Sequence, residues 1–153
     1  MALLELAGVT RTVELPDDEP LHILRGVDLS VDVGDHVSIV GRSGSGKSTL
    51  LNLLGLLDNP TKGEIRFDGR LISDMSANQR DRARGRDVGF IFQQFNLLGG
   101  RTALENAMTP LLYASGRQFW RREQIALEML DRVGLSHRAQ SMPEKLSGGE
   151  QQR

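Results

Sequence analysis

The first third of the chain contains short stretches in which apolar and polar residues alternate, a pattern typical of β-strands. Residues 3–13 and 21–33 are two such stretches, and an acidic, proline-containing segment separates them. They predict antiparallel strands around an exposed loop. Residues 64–72 predict one or two further strands, with a hairpin turn at Asp68-Gly69.

Two continuous apolar runs have a different pattern. Residues 36–40 and 88–92 are short, rich in β-branched or aromatic side chains and bounded by glycine or glutamine. Such runs are typical of parallel strands that are buried on both faces. The first run leads through a glycine-rich loop into the leucine-rich residues 48–57, which predict a buried helix.

Helical patterns dominate the rest of the chain. Ser76 is predicted to cap a short, exposed, arginine-rich helix over residues 76–87, whose charges we interpret as a solvated face. Apolar residues recur at helical spacing in two stretches between residues 102 and 134. Ser147 is predicted to cap a further helix.

Composition narrows the class of protein. The chain has 153 residues, 39% of them hydrophobic and 25% charged, and its net charge is −1, which describes one globular domain and gives no reason to expect a nucleic-acid partner. The absence of cysteine excludes disulfides and thiolate chemistry. No apolar run approaches the roughly 18 to 20 residues needed to cross a bilayer, so we expect any membrane role to depend on a partner.

The glycine-rich loop carries the first functional motif. Residues 41–48 match G-x-x-x-x-G-K-[ST], the P-loop or Walker A pattern, and lie between a predicted strand and a predicted helix. This motif occurs in GTPases, kinases and ATPases, so by itself it indicates only a phosphate ligand. The predicted nucleotide-binding residues are Gly41, Arg42, Ser43, Gly44, Ser45, Gly46, Lys47, Ser48 and Thr49.

Each residue type in this loop has a chemical role in binding phosphate. Glycines let successive backbone N–H groups turn inward, and the start of the following helix adds its own free N–H groups. Lys47 is the expected point charge for the β- and γ-phosphates, and the Ser48 hydroxyl can coordinate Mg²⁺. Thr49 can donate to the α-phosphate.

Residues 146–153, LSGGEQQR, carry the second motif. A simple explanation is a helix N-cap at Ser147 with Glu150 three residues later, which forms a capping box. Beside the P-loop, however, this stretch resembles the signature sequence of ATP-binding cassette (ABC) proteins at every position. The resemblance implies that the motif contacts ATP held by a partner subunit, through Leu146, Ser147, Gly148, Gly149, Glu150 and Gln151.

A third match supports the resemblance. Residues 88–98, VGFIFQQFNLL, are similar to the family's Q-loop, in which Gln93 ends a core strand and begins the helical subdomain. The resemblance implies that Gln93 and Ser48 are Mg²⁺ ligands and that Gln93 connects the site to membrane subunits. Without the neighbouring motifs, a glutamine that bonds to the backbone at a strand end would be the simpler interpretation.

The resemblance implies a fold and an activity. The fold class is α/β, a P-loop NTPase core of the ABC type with antiparallel N-terminal strands and a helical subdomain. The amino-acid sequence of several stretches is similar to that of the lipoprotein-releasing and macrolide-export branch of the family. We therefore expect an exporter subunit that depends on ATP and Mg²⁺. Its expected location is cytoplasmic, peripheral at the inner face of the membrane. Its expected partners are membrane-spanning permease subunits and a second ATP-binding domain, identical or paralogous. The predicted organisation is 1–93 for the nucleotide-binding core, 94–146 for the helical subdomain and 146–153 for the signature.

The sequence departs from the family in two places. The family usually stacks adenine on an early aromatic residue, but the region around Thr12, Val13 and Glu14 has none, and Val13 or His22 could provide only a weaker apolar or planar surface. No apolar strand ending in Asp-Glu (Walker B) and no switch histidine of the family occurs, so no catalytic residue is assigned. We expect the core strands of that portion to be missing, which would leave the runs at 36–40 and 88–92 without strand neighbours. The chain alone is expected to bind nucleotide weakly and not to turn it over.

Two alternatives remain from the sequence. The chain can be a truncated, catalytically inactive nucleotide-binding module. It can also be part of a soluble ABC protein without a transport role, although its near-neutral charge and lack of insertions argue against this alternative.

Overall fold

The computed structural model describes residues 2–16, 19–114 and 116–153. Asp17 and Asp18, in the predicted acidic loop, lie outside the described residues. The chain forms two compact units, Met1–Phe90 and Ile91–Arg153. The predicted functional division at residue 93 stays a prediction.

An antiparallel sheet forms most of the first unit. Its strands are β1 (Ala2–Val13), β2 (Leu21–Asp32), β3 (Lys62–Phe67) and β4 (Arg70–Leu71), in the order β2-β1-β3-β4. The predicted strands around the acidic loop and the predicted hairpin are therefore confirmed. Asp68 and Gly69 both have positive φ, 49° and 72°, as a two-residue hairpin turn requires.

A bulge in β1 selects which side chains face the core. Leu4 and Leu6 are buried by simple alternation, and Val9 joins them because the pairing with β2 shifts register between Leu6 and Val9. Gly63 in β3 packs directly on this bulge, since a Cβ there would collide with the carbonyls of Ala7 and Gly8. The bulge thus keeps an apolar face continuous along a twelve-residue strand.

The described residues of the first unit form two α-helices. The helix α1 (Lys47–Leu54) packs its Leu53, which has no exposed surface, in the same apolar core as the sheet. The helix α2 (Ala77–Asp87) begins with the predicted Ser76 cap, in a complete capping box with Gln79. The buried residues of this core are Leu4, Leu6, Val9, Leu24, Leu53, Leu56, Ile65, Phe67 and Ile72.

The second unit is helical, as its sequence pattern predicts. Its helices are α3 (Ala103–Met108), α4 (Arg117–Trp120), α5 (Arg122–Arg132) and α6 (Gly148–Gln152). Short 3-10 turns occur at Ile72–Asp74 in the first unit and at Thr109–Tyr113, Ser136–Arg138 and Pro143–Lys145 in the second. The second core contains Leu104, Ala126, Leu130, Leu135 and Ala139. Across the described ranges, no helix is both long and apolar enough to cross a membrane.

The two apolar runs do not form the predicted strands, whereas the expectation that they have no strand neighbours is confirmed for the described residues. Residues 36–40 and 88–92 pair with no strand in the described part of the chain, and Val40 and Ile91 expose 88% and 92% of their surface. An apolar run encodes burial, but a strand forms only where neighbouring strands accept and donate its backbone hydrogen bonds. Val88 still packs against the first core, and the Phe90 ring lies against Gly55 at the end of α1.

Replacing Leu53 with alanine is expected to lower the free energy of unfolding by about 2–5 kcal/mol, because it opens a cavity in the first core. Leu51→Ala on the same helix, at a position 52% exposed, is the matched control and is expected to cost about 0.5 kcal/mol. Urea unfolding followed by circular dichroism measures both. Equal losses of unfolding free energy in the two variants would contradict the packing of Leu53 in the first core.

Candidate functional site

The glycine-rich loop ends where α1 begins, and a glycine makes that junction possible. Gly46 is the N-cap of α1 and has a left-handed conformation, with φ 88°. A Cβ at this position would lie 3.0 Å from the Leu24 side chain and 3.1 Å from the Ile23 carbonyl oxygen. The absence of a side chain therefore lets the start of α1 lie directly against β2.

Lys47, at the end of the loop, forms hydrogen bonds with the residues at the start of the loop. Its Nζ donates to the carbonyl oxygens of Gly41 and Arg42, at 2.9 and 2.7 Å, and the Ser45 amide donates to the same Arg42 carbonyl at 3.2 Å. These bonds tie the first residues of the loop to the first turn of α1. The ammonium group is thereby held at the loop with a fixed position.

A shallow depression of about 350 Å³ lies over the loop and is lined by Leu21, Ile23 and residues 43–49. The N-cap of α1 supplies no side-chain acceptor, and the first turn contains no acidic residue. The first N–H groups of the helix and the Lys47 ammonium therefore create a positive potential that favours an anion. The exposed Ser48 hydroxyl is a hard oxygen ligand of the kind that Mg²⁺ takes.

The apolar wall of the depression is formed by residues other than Val13 and His22, whose role as a surface for adenine stays a prediction. Leu21 and Ile23 line it, and Leu21 pairs with Val13 across the β1–β2 ladder. His22, the other predicted adenine-facing residue, is not among the lining residues, and its Nδ1 lies 2.9 Å from the Thr12 hydroxyl. Alternation along β2 could have identified Leu21 and Ile23, because residues two apart share a face of the sheet.

The second unit contains Gln93, which is exposed at a bend. The prediction that it ends a core strand is wrong, because residues 88–92 do not form a strand. Its assignment as a Mg²⁺ ligand and sensor stays a prediction. The described residues contain no cluster of three or more His, Asp or Glu side chains suited to a metal ion.

The signature-like motif forms the predicted cap. The Ser147 hydroxyl accepts a hydrogen bond from the Glu150 amide at 3.3 Å, and Glu150 Oε2 accepts one from the Ser147 amide at 2.8 Å. The capping-box explanation therefore holds as a description of the local structure. It does not conflict with a role in ligand binding.

The residues of this motif divide into an exposed group and an anchoring group. Ser147, Gly148 and Gly149 are exposed. Leu146 is buried, and three of the four remaining polar residues bond to the chain between residues 133 and 149. Glu150 binds Arg138, Gln151 donates to the carbonyls of Pro143 and Leu146, and Arg153 donates to the carbonyls of Val133 and Gly149.

The electrostatics of Glu150 follow from these bonds. The Ser147 amide and hydroxyl, followed by the Arg138 guanidinium, lower the pKa of the Glu150 carboxyl from its usual 4.5 to about 2. The carboxylate is therefore charged throughout the neutral range. The similar cap at Thr102 and the neighbouring Arg101 also lower the pKa of Glu105.

A glycine loop closed by its own lysine, at the start of a helix packed on a sheet, defines a P-loop nucleotide-binding protein. The family profile described as ABC transporter matches residues 24–153, so the chain belongs to the ABC transporter family. Solved structures agree with this assignment. The ATP-binding cassette MJ0796, a dimer bound to ADP and Pi, has a TM-score of 0.84 and 40% identity over 97% of this chain and 65% of that chain. The predicted ABC-type P-loop NTPase fold is thus confirmed.

The curated relatives are exporters. The chain is 47% identical, over its whole length, to the macrolide export ATP-binding/permease protein MacB of Syntrophobacter fumaroxidans, and covers 21% of that protein. It is 42% identical over 99% of its length to the pyoverdine export ATP-binding/permease protein PvdT of Pseudomonas syringae pv. tomato, and covers 23% of it. The predicted relationship to the macrolide-export branch is confirmed. The chain spans about a fifth of the length of these relatives.

The low pKa of Glu150 predicts how stability depends on pH. Because folding lowers this pKa from 4.5 to about 2, its contribution to stability is present above pH 4.5 and is lost as the pH falls toward 2. The stability difference between the wild type and Glu150→Gln should therefore shrink over that range. Urea midpoints at pH 7, 4.5 and 3 measure it, and a difference that grows on acidification would contradict the bonding described here.

Proposed function

We propose that the chain is the ATP-binding domain of an ABC exporter. In this proposal Mg²⁺·ATP binds at residues 41–49, and ATP binding and hydrolysis are coupled to transport through membrane-spanning permease segments or subunits. The observation that carries the proposal is the arrangement of Lys47, which closes the glycine loop at the N-terminus of α1. The names of the relatives, which are export ATP-binding/permease proteins, support the transport direction.

The phosphate groups would replace water over the loop. The backbone N–H groups at the start of α1 and the Lys47 ammonium neutralise the β- and γ-phosphates, and the loop needs little rearrangement because Lys47 already holds it. Ser48 would hold Mg²⁺, with Gln93 as the second predicted ligand. The metal, when bound, neutralises phosphate charge during hydrolysis.

A second ATP-binding domain completes the proposed site. Ser147 and Gly149 are exposed and would contact the γ-phosphate of ATP held by the partner domain, which is identical to this one or a paralogue. ATP binding would then close the pair, because ATP binds the closed state more tightly, and hydrolysis would open it. The dimeric MJ0796 cassettes support such a pairing.

The proposed location is the cytoplasmic face of the membrane, where the permease segments are contacted by the helical second unit. The transported substrate would be selected by those segments. Residues 1–153 contain no Walker B strand ending in Asp-Glu, so turnover is tested on the intact native protein in its source membrane.

Lys47→Ala is expected to weaken ATP affinity roughly 10- to 100-fold, because charge-assisted bonds to the phosphates are lost. Titration calorimetry with Mg²⁺·ATP measures the effect. Lys62→Ala removes an exposed lysine from β3 and is the matched control, with an expected affinity equal to that of the wild type. Unchanged ATP affinity in Lys47→Ala would refute the assignment of residues 41–49.

Val13→Tyr is expected to raise ATP affinity roughly five- to tenfold, because a ring beside Leu21 would supply the aromatic surface that this region lacks. Val13→Leu, which enlarges the side chain without a ring, is the matched control. Affinity for inorganic pyrophosphate should be the same in both variants, since the change affects only the base. A rise in pyrophosphate affinity would argue against an adenine position near Val13.

A further inference from the structure

The two carboxylate oxygens of Glu150 have different partners. Oε2 accepts the Ser147 amide at 2.8 Å, and Oε1 accepts the Arg138 Nε at 2.9 Å. The Glu150 side chain is only 13% exposed, whereas Arg138 is 41% exposed. Arg138 lies in a 3-10 turn twelve residues before Glu150, so its bond connects the signature motif to a separate segment of the second unit.

The same unit contains a second capping box of the same design. At the start of α3, Glu105 accepts the Thr102 amide at 2.8 Å, and Arg101 bonds to Glu105 at 3.3 Å. Arg101 is four residues from Glu105, so this ion pair is local and fixes no remote segment. The capping box at Thr102 is therefore a reference for the capping box at Ser147, since only the second is bonded to a remote arginine, Arg138.

We infer that Arg138 is a positioning residue for the signature motif, acting through Glu150. By fixing Oε1, the guanidinium restricts rotation of the Glu150 carboxylate, and the other oxygen stays aligned with the Ser147 amide. Residues 147–149 are then held in one geometry before any nucleotide arrives. This inference rests on the proposed function, in which these exposed residues contact ATP of the partner domain.

The bond that Arg138 makes is independent of the cap itself. In Arg138→Ala, Glu150 keeps its bond with Ser147 but loses the constraint on Oε1. In Glu150→Gln, the amide oxygen can still accept the Ser147 N–H, while the amide nitrogen, a donor, faces the Arg138 donor. Both substitutions therefore remove the same link and leave the capping bond available.

The first measurement is amide hydrogen exchange of the intact, nucleotide-free native protein. Arg138→Ala is expected to speed exchange at the Ser147 amide roughly fivefold, the effect of losing a partly exposed ion pair. Arg101→Ala is the matched control, and it should affect the Thr102 amide without changing Ser147. Unchanged exchange at Ser147 in Arg138→Ala would overturn the inference whether or not the protein hydrolyses ATP.

The second measurement is ATP turnover by the same protein. Arg138→Ala is expected to lower kcat roughly fivefold while ADP affinity stays unchanged, because ADP lacks the phosphate that the motif would contact. Arg138→Lys, which keeps the charge, should restore part of the rate. Adding Arg138→Ala to Glu150→Gln should lower kcat little further, because both substitutions remove the same bond between Arg138 and Glu150.

The outcomes separate this inference from the proposed function. A wild type without Lys47-dependent turnover would refute the proposed function, and hydrogen exchange would still decide whether Arg138 holds the motif. Wild-type turnover with an unchanged kcat in Arg138→Ala would overturn the positioning role alone. Equal losses of kcat in Arg138→Ala and Arg101→Ala would indicate general destabilisation and would also overturn the positioning role. Fully additive losses of kcat when Arg138→Ala is combined with Glu150→Gln would do the same.

Discussion

The nucleotide loop depends on one packing constraint, the close approach of α1 to β2. Burial of Leu53 draws the helix onto the sheet, and Gly46 allows the helix to begin against Ile23 and Leu24 without a collision. Residues 36–40, which precede the loop, form no strand. The helix that follows the loop and the Lys47 bonds to the loop carbonyls hold the loop in position.

Charged side chains hold both the glycine loop and the signature motif in place. Lys47 bonds to loop carbonyls, and Glu150 bonds to the Ser147 amide and to Arg138. Charges that satisfy backbone groups before a ligand is present lower the entropy cost of binding, because fewer dihedral angles have to be fixed later. In the signature motif, this bonding leaves residues 147–149 exposed.

Much of the local structure could be predicted from residue type and spacing. The capping boxes at Ser76 and Ser147 and the turn at Asp68-Gly69 were predictable because the groups that satisfy one another are three or fewer residues apart. Leu21 and Ile23, which line the depression over the loop, were not predicted, although alternation along β2 places both on one face of the sheet. Residues 36–40 and 88–92 were predicted as strands from their apolar runs but form none, because an apolar run does not specify hydrogen-bonding neighbours for its backbone.

The sequence by itself determined the family, the glycine loop with the P-loop pattern, and the caps of the helices, because these depend on residue identity at short spacing. Only the tertiary structure decided which residues work together over longer distances. It joined Arg138 to Glu150 and brought β2 against Gly46. The physical reason is that such contacts depend on how segments pack, and packing is set by all of their side chains together.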